Sequence, residues 1–225
     1  RLMALRRLRC CDLVLDETPV ALPADIDVSS ILSEAVLARF DLASLADDGA
    51  KRYLDRVQCL RHWLPELDLP DFGLNTFQEF LPDWCAGCAS VEELRSKSLL
   101  VSIHRRMTQQ QLTQVEREAP DHIILPSGRR VKLDYTPGKP PVMAVRIQEL
   151  FGVRETPRIA GSRIPVLLHL LAPNYRVQQI TPDLASFWQN TYAEVRKELK
   201  PRYPKHAWPE DPLTTPPERA LKPKR

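Results

Sequence analysis

The residues that could do chemistry begin with Cys85 and Cys88, which form a CxxC motif. One such pair supplies half of a tetrahedral zinc site, and in a strand–helix–strand context it is a redox pair. The other cysteines, Cys10, Cys11 and Cys59, lie far away in the sequence without ligand spacing. We therefore interpret the CxxC pair as small residues at the end of a helix and predict no metal site. A metal or redox role is the alternative.

Common nucleotide-binding and catalytic motifs are missing from the sequence. It has 7 glycines and 21 prolines, with no GxxxxGK[ST], GxGxxG, GxSxG or HExxH string. Without a glycine-rich loop and a Lys–Ser/Thr pair, nothing here can hold β- and γ-phosphates with Mg²⁺. We predict that this chain alone does not hydrolyse ATP, and we assign it no catalytic residue and no cofactor. The histidines occur singly, and His169, inside an apolar segment, is interpreted as a core residue.

Cations with interleaved aromatic residues near the C-terminal end give the strongest physical hypothesis, contact with nucleic acid. Lysine and arginine neutralise phosphates, and aromatic rings stack on unpaired bases. A smaller basic set lies at a predicted β-turn. The candidate nucleic-acid-binding residues are Arg129, Arg130, Arg196, Lys197, Lys200, Arg202, Tyr203, Lys205, His206 and Trp208. The alternative is that Tyr203 and Trp208 pack the proline-rich tail against a sheet while the charges are solvated.

Charge is distributed unevenly along the chain, whose net charge is +3. Residues 1–50 have a net charge of −4, whereas residues 121–225 carry 18 basic and 10 acidic side chains, a net charge of +8. A basic half beside an acidic half favours a polyanion as partner of the basic half, although a solvated surface explains the charge equally well.

Composition excludes several classes of protein. No apolar run approaches the ~18–20 residues that span a membrane, so no membrane partner is expected. Five cysteines, an odd number, favour a reducing, cytoplasmic location over a disulfide scaffold. The first residue is Arg1, and we expect a piece of a longer protein rather than a start at Met3.

The first half is predicted to be mainly helical. Residues 1–17 are predicted to form one or two short strands, with partners expected upstream. Residues 28–119 show apolar residues at helical spacing and end at Pro120. Ser90 and Glu93 have the spacing of a capping box and predict a helix start.

The second half changes to strand patterns and then one long helix. Alternating or continuous apolar runs between residues 122 and 180 predict an antiparallel meander of four or five strands, and residues 164–171 predict a strand buried on both faces. Thr181-Pro182-Asp183 has the order N-cap, first helical proline and first-turn acid, and it predicts the start of a helix with one apolar stripe that ends at Pro201. The predicted fold class is α+β: a helical layer, a small antiparallel β-meander and a long amphipathic C-terminal helix.

Residues 120–213 contain a series of ordered strings: LPSG at 125–128, LDY at 133–135, PPVMAVRIQELFG at 140–152, TP at 156–157, LHLL at 168–171, TPDL at 181–184, FW at 187–188, YAEVRKEL at 192–199 and RYPKHAWPEDP at 202–212. In this order they resemble the C-terminal region of the HrpB-type ATP-dependent helicases, which are bacterial DEAH-box RNA helicases. Residues 1–119 are similar to the preceding segment of that family more loosely.

The residue patterns and the resemblance together predict four parts of the chain. Residues 1–17 are expected to be closing strands of an upstream OB-like domain, 18–119 a helical subdomain, 120–213 the HrpB-type α+β domain and 214–225 a disordered basic tail. The parent protein would unwind RNA with ATP and Mg²⁺ in its motor domains. From the placement of its charges, we expect this fragment to dock on those domains of the same polypeptide and to contact single-stranded RNA.

Two other functions remain open. The chain could be a protein-interaction platform without affinity for nucleic acid, with the proline-rich tail or the apolar faces as its binding surfaces. It could also be an independent metal-dependent enzyme that uses Cys85, Cys88 and a nearby histidine.

Overall fold

The computed structural model describes residues 3–21, 23, 26–40 and 45–217, with the side chains of residues 74–76 left aside. The chain divides into two compact units: residues 1–54 with 70–108, and residues 55–69 with 109–225. The boundaries that the sequence predicts at residues 17, 119 and 213 stay predictions. Most of the tail predicted to be disordered, residues 218–225, lies outside the described residues.

A β-hairpin opens the first unit. Strands β1 (Ala4–Cys10) and β2 (Leu13–Val20) pair antiparallel with a register shift between Leu8 and Arg9. The two predicted strands are therefore partners of each other, and the second continues past residue 17. Almost every side chain of the hairpin is exposed, apolar ones included. The hairpin buries no core of its own in the described chain. A two-stranded hairpin without a buried face is only marginally stable.

Helices form the rest of the first unit. They are α1 (Val28–Arg39), the first half of α2 (Asp48–Trp63), α3 (Leu74–Cys85), α4 (Val91–Ser96) and α5 (Leu99–Arg105). Helix α1 packs against α3. Edge-to-face aromatic contacts fill the core: the ring centroids of Phe77 and Phe80 lie 5.0 Å apart, and those of Phe72 and Phe80 6.3 Å apart. This geometry is the one that aromatic quadrupoles favour.

The predicted capping box at α4 is confirmed with one variation. The backbone N–H of Glu93 donates to Ser90 Oγ at 3.1 Å, as the pattern requires. The Glu93 carboxylate accepts in return from the N–H of Ala89, one residue before the cap, at 2.7 Å. Helix α5 provides a contrast, because its N-cap residue Ser98 makes no side-chain capping bond.

The second unit starts with the second half of α2 and a 3₁₀ turn (Pro65–Leu67) and continues from α6 (Gln109–Glu118). Its strands are β3 (His122–Ile124), β4 (Arg130–Lys132), β5 (Val142–Arg146), β6 (Arg158–Ile159), β7 (Ile164–Pro165), β8 (Leu167–Leu171) and β9 (Val177–Thr181). Pairs β3–β4 and β6–β7 are antiparallel, and the three-stranded sheet has the order β5-β8-β9.

The α+β class is confirmed, but the sheet is not a purely antiparallel meander. Strands β5 and β8 are parallel, while β8 and β9 are antiparallel. A parallel pair needs a crossover of a dozen or more residues, and residues 147–166 supply it. That crossover holds a buried 3₁₀ turn (Ile147–Leu150) and the β6–β7 pair.

The run predicted as one strand buried on both faces is divided. Strand β7 ends at Pro165 and β8 begins at Leu167. Along β8, Leu168 and Leu170 are buried, whereas Leu167 and His169 are half-buried. The apolar run thus has one inward face and one partly open face, and His169 lies on the latter rather than in the core.

The long C-terminal helix is confirmed. It consists of α7 (Leu184–Ser186), a π-helical turn (Phe187–Thr191) and α8 (Tyr192–Arg202). Its N-cap is Asp183 and not Thr181 as predicted, because the Asp183 carboxylate accepts from the N–H of Ser186 at 2.9 Å. The helix also continues through Pro201 to Arg202. The predicted stripe is buried at Leu184, Phe187, Trp188, Tyr192 and Leu199.

We expect Ser90→Ala to lower the free energy of unfolding by about 1 kcal/mol, since an unsatisfied amide remains at the start of α4. Ser98→Ala is the matched control, because it removes an N-cap serine that makes no capping bond. Urea unfolding followed by circular dichroism measures both. Equal effects of the two substitutions would contradict a specific capping role.

Candidate nucleic-acid interface

Two of the predicted cations lie free on the C-terminal helix. Lys197 and Lys200 are three residues apart on α8, and both are exposed. Neither forms an ion pair within the described part of the chain. The helix is fixed on its other side, where Trp188, Tyr192 and Leu199 are buried. These lysines therefore present positive charge from a rigid element.

Arg196 holds the following segment rather than facing solvent freely. Its Nε donates to the carbonyl oxygen of Trp208 at 2.9 Å, and its Nη2 lies 3.1 Å from the Glu210 carboxylate. The hydroxyl of Tyr192 donates to the carbonyl oxygen of Pro209 at 2.9 Å. Burial raises the pKa of Tyr192 to about 12, with nearby Arg196 opposing the shift, so this phenol remains a donor at neutral pH.

Trp208 is part of the core of the second unit. It is 6% exposed, and its indole N–H donates to the carbonyl oxygen of Tyr203 at 2.9 Å. Tyr203 is half-buried, with its ring 6.5 Å from that of His206. The burial of Trp208 agrees with the packing role that the sequence offered as an alternative, whereas packing against a sheet stays a prediction. Trp208 could not stack on a base without leaving its buried position.

The remaining cations of this region differ in their partners. Arg202 lies on the opposite side of α8 and pairs with Glu198 at 3.1 Å, while Lys205 is exposed in the tail. At the other predicted basic turn, Arg130 is exposed on β4. Its neighbour Arg129 is 34% exposed and binds the carboxylate of Glu149.

Glu149 is the buried centre of a charge network that sequence reasoning missed. It has no exposed surface and accepts from Arg146 Nε at 2.9 Å and Nη2 at 2.7 Å, in addition to Arg129. Arg146 is itself buried. The available signal was the pair of opposite charges three residues apart within a mainly apolar string.

The CxxC pair lies at the end of α3. Cys85 is the last helical residue, and Gly87, at φ +73°, makes the turn that returns the chain to Cys88. Both thiols are buried, and burial raises the pKa of Cys85 to about 11. Across the described ranges, no group of three or more His, Cys, Asp or Glu side chains is placed to hold a metal ion.

Comparisons with known proteins agree with the family resemblance of residues 120–213. The family described as ATP-dependent helicase C-terminal (HrpB_C) matches residues 80–212. This chain belongs to that family. None of the helices in the described ranges is long and apolar enough to cross a membrane.

Relatives and solved structures extend the match beyond the family region. The ATP-dependent RNA helicase HrpB of Escherichia coli K12 is 34% identical over 98% of this chain, which corresponds to 28% of that protein. The crystal structure of the E. coli DExH-box NTPase HrpB matches 96% of this chain and 27% of its own, with a TM-score of 0.83 at 34% identity. A structure titled E. coli DEAH/RHA helicase HrpB matches 91% of this chain and 26% of its own, with a TM-score of 0.70 at 32% identity. The chain thus spans little more than a quarter of the relatives it matches.

Glu149→Gln should lower the free energy of unfolding by about 3–5 kcal/mol, because it leaves buried Arg146 without its carboxylate. Glu155→Gln, at an exposed position, is the control and should have little effect. Urea unfolding of the purified chain measures the difference. Wild-type stability in the Glu149 variant would show that the network contributes nothing net.

Thiol reactivity should separate the five cysteines into two groups. Cys10 and Cys11 are exposed, whereas Cys59, Cys85 and Cys88 are buried. Burial raises the pKa of Cys59 to about 11, with the negative charge of Asp55 adding to the shift. A raised pKa lowers the thiolate fraction at neutral pH, so the buried thiols should react slowly. With Ellman's reagent we expect two fast thiols in the native chain and five after denaturation. Rapid reaction of all five without denaturant would contradict the buried placement.

Proposed function

We propose that this chain is the C-terminal accessory part of an ATP-dependent RNA helicase, and that it contacts single-stranded RNA. Membership of the helicase C-terminal family and the similarity to the E. coli RNA helicase support the first statement. The exposed lysine pair Lys197 and Lys200 on a helix held by its buried face supports the second. Lysines already held on a rigid element lose less conformational freedom when they meet a phosphate.

The distribution of charge around α8 supports binding on one side of the helix. At 100° per residue, Lys197 and Lys200 lie about 60° apart, Glu194 lies about 60° beyond Lys197 on the side away from Lys200, and Glu198 lies about 40° further on. Arg202 pairs with Glu198 and adds no free cation to the acidic side. A phosphate chain would be attracted to the two lysines and repelled by the acidic stripe that borders Lys197.

ATP hydrolysis belongs, on this proposal, to motor domains of the same polypeptide. The sequence has no GxxxxGK[ST] string, and it corresponds to only 28% of its helicase relative. ATP and Mg²⁺ would be bound there, and this chain would dock on those domains as a brace for the RNA path.

The β1–β2 hairpin is the part that we propose completes an upstream domain. Met3, Leu8 and Leu13 expose large apolar side chains, each more than half exposed. Several large apolar side chains exposed on a two-stranded hairpin are typical of an element that other structure covers. Closing strands of an upstream OB-like domain would bury them and give the hairpin neighbours.

Titration of a fluorescent single-stranded RNA at two salt concentrations tests the RNA contact. The double variant Lys197→Gln, Lys200→Gln should bind more weakly. Its slope of log affinity against log salt should fall in magnitude by about 1.4, because each phosphate contact in single strands contributes about 0.7.

The matched control is Lys51→Gln, Arg52→Gln, which removes two exposed cations from α2 in the first unit. It changes the net charge equally and should leave the slope unchanged. An equal loss in both variants would mean that only the net charge matters. Absence of binding by the wild-type chain at low salt would overturn the RNA contact and favour the protein-interaction platform.

A further inference from the structure

An exposed aromatic residue with an unusual backbone lies at the turn between β8 and β9. Tyr175 is 60% exposed, and its φ is +66°, in the left-handed region that bulky residues seldom adopt. Its N–H donates to the carbonyl oxygen of Ala172 at 2.9 Å, which closes the turn. Such strain persists only where surrounding contacts impose it, and it often marks functional positions.

The contact that holds the Tyr175 ring is the guanidinium of Arg146. The centre of that guanidinium lies 5.8 Å from the ring centroid, within the range of a cation–π interaction. Arg146 cannot move freely, because Glu149 binds it through two hydrogen bonds. The aromatic ring is therefore held against a fixed, buried cation while much of its surface remains in solvent.

The sheet beside Tyr175 has an open apolar face. Pairing places Ala144, His169 and Ile180 in one row across the three strands. Because side chains alternate along a strand, Arg146 projects on the same side as Ala144. Ala144 and Ile180 are exposed and His169 is half-buried, so this row of the sheet is open to solvent on the side from which Arg146 projects.

The charges around the ring favour a polyanion over a cationic or neutral partner. Arg176 follows Tyr175 directly and is exposed. Arg129, a predicted RNA-binding residue, shares Glu149 with Arg146 and is 34% exposed. The one carboxylate of this network is buried and faces two guanidinium groups, so the cluster has a net positive charge.

We propose that Tyr175 is a stacking surface for an unpaired base of single-stranded RNA, with Arg146 as the residue that positions its ring. This inference rests on the proposed RNA contact and adds a base-contacting site to the phosphate-contacting lysines. Stacking tolerates any base, since every base has a π-face, so the site would hold RNA without reading its sequence.

The test compares three proteins: the wild-type chain, Tyr175→Asn and Tyr175→Phe. Asparagine tolerates the left-handed backbone, so it removes the ring with little change in the turn. Phenylalanine keeps the ring and removes only the hydroxyl. With fluorescent oligo(U) we expect the asparagine variant to bind at least about fivefold more weakly, and the phenylalanine variant to match wild type.

An abasic oligomer of equal length and charge separates stacking from phosphate binding. Wild type should prefer oligo(U) to the abasic oligomer, and Tyr175→Asn should lose that preference. The salt slope of Tyr175→Asn should stay at the wild-type value, because stacking releases no counterions. Circular dichroism melts of both variants check that the fold is intact.

The outcomes distinguish this inference from the proposed function. If Tyr175→Asn binds oligo(U) as tightly as the wild-type chain does, while the double lysine variant binds it more weakly, the stacking site is overturned and the RNA contact stands. An equal loss for oligo(U) and the abasic oligomer also overturns stacking. No binding by the wild-type chain overturns the RNA contact, and the stacking site with it.

Discussion

The structure of the second unit depends on one buried carboxylate. Glu149 has no exposed surface, and removing a charge from water costs several kcal/mol unless partners compensate. Arg146, at the end of β5, and Arg129, in the turn before β4, both compensate it. The network therefore joins the β3–β4 hairpin to the three-stranded sheet. Through Arg146 it also reaches the Tyr175 ring, so a core constraint extends to an exposed surface.

A second set of contacts binds the chain after α8 to the rest of its unit. The Tyr192 hydroxyl donates to the carbonyl oxygen of Pro209, and Arg196 donates to the carbonyl oxygen of Trp208. The N–H of Gly152 donates to the carbonyl oxygen of Pro212 at 2.9 Å. Side chains that make these bonds are engaged within the protein. Residues that share one basic string in sequence thus divide into two physical groups: those that fix the tail and those, such as Lys197 and Lys200, that remain open to a ligand.

Local patterns predicted the elements well because their causes are local. The apolar stripe of the C-terminal helix and the Ser90–Glu93 capping box depend on spacing within a few residues. The parallel pairing of β5 with β8 was missed, because it depends on which distant strands meet across a crossover. For the same reason, the sequence alone could not separate cations that are open to solvent from cations that are engaged within the protein. A charge count gives the same weight to an exposed lysine and to an arginine that binds the following segment. Burial of Trp208 and the bond between Glu149 and Arg129, 20 residues away in sequence, depend on tertiary packing.

The two proposed kinds of contact, lysine to phosphate and Tyr175 to base, would hold RNA in different ways. Lysine contacts gain from counterion release and weaken as salt rises, whereas stacking on Tyr175 depends little on salt. A surface that combines the two retains some affinity when the phosphate contacts are screened. Because neither contact reads base identity, the accessory unit would hold whatever strand the motor delivers. On the proposed function, the buried Glu149 network matters for RNA because it keeps the stacking ring fixed while the lysines exchange phosphates.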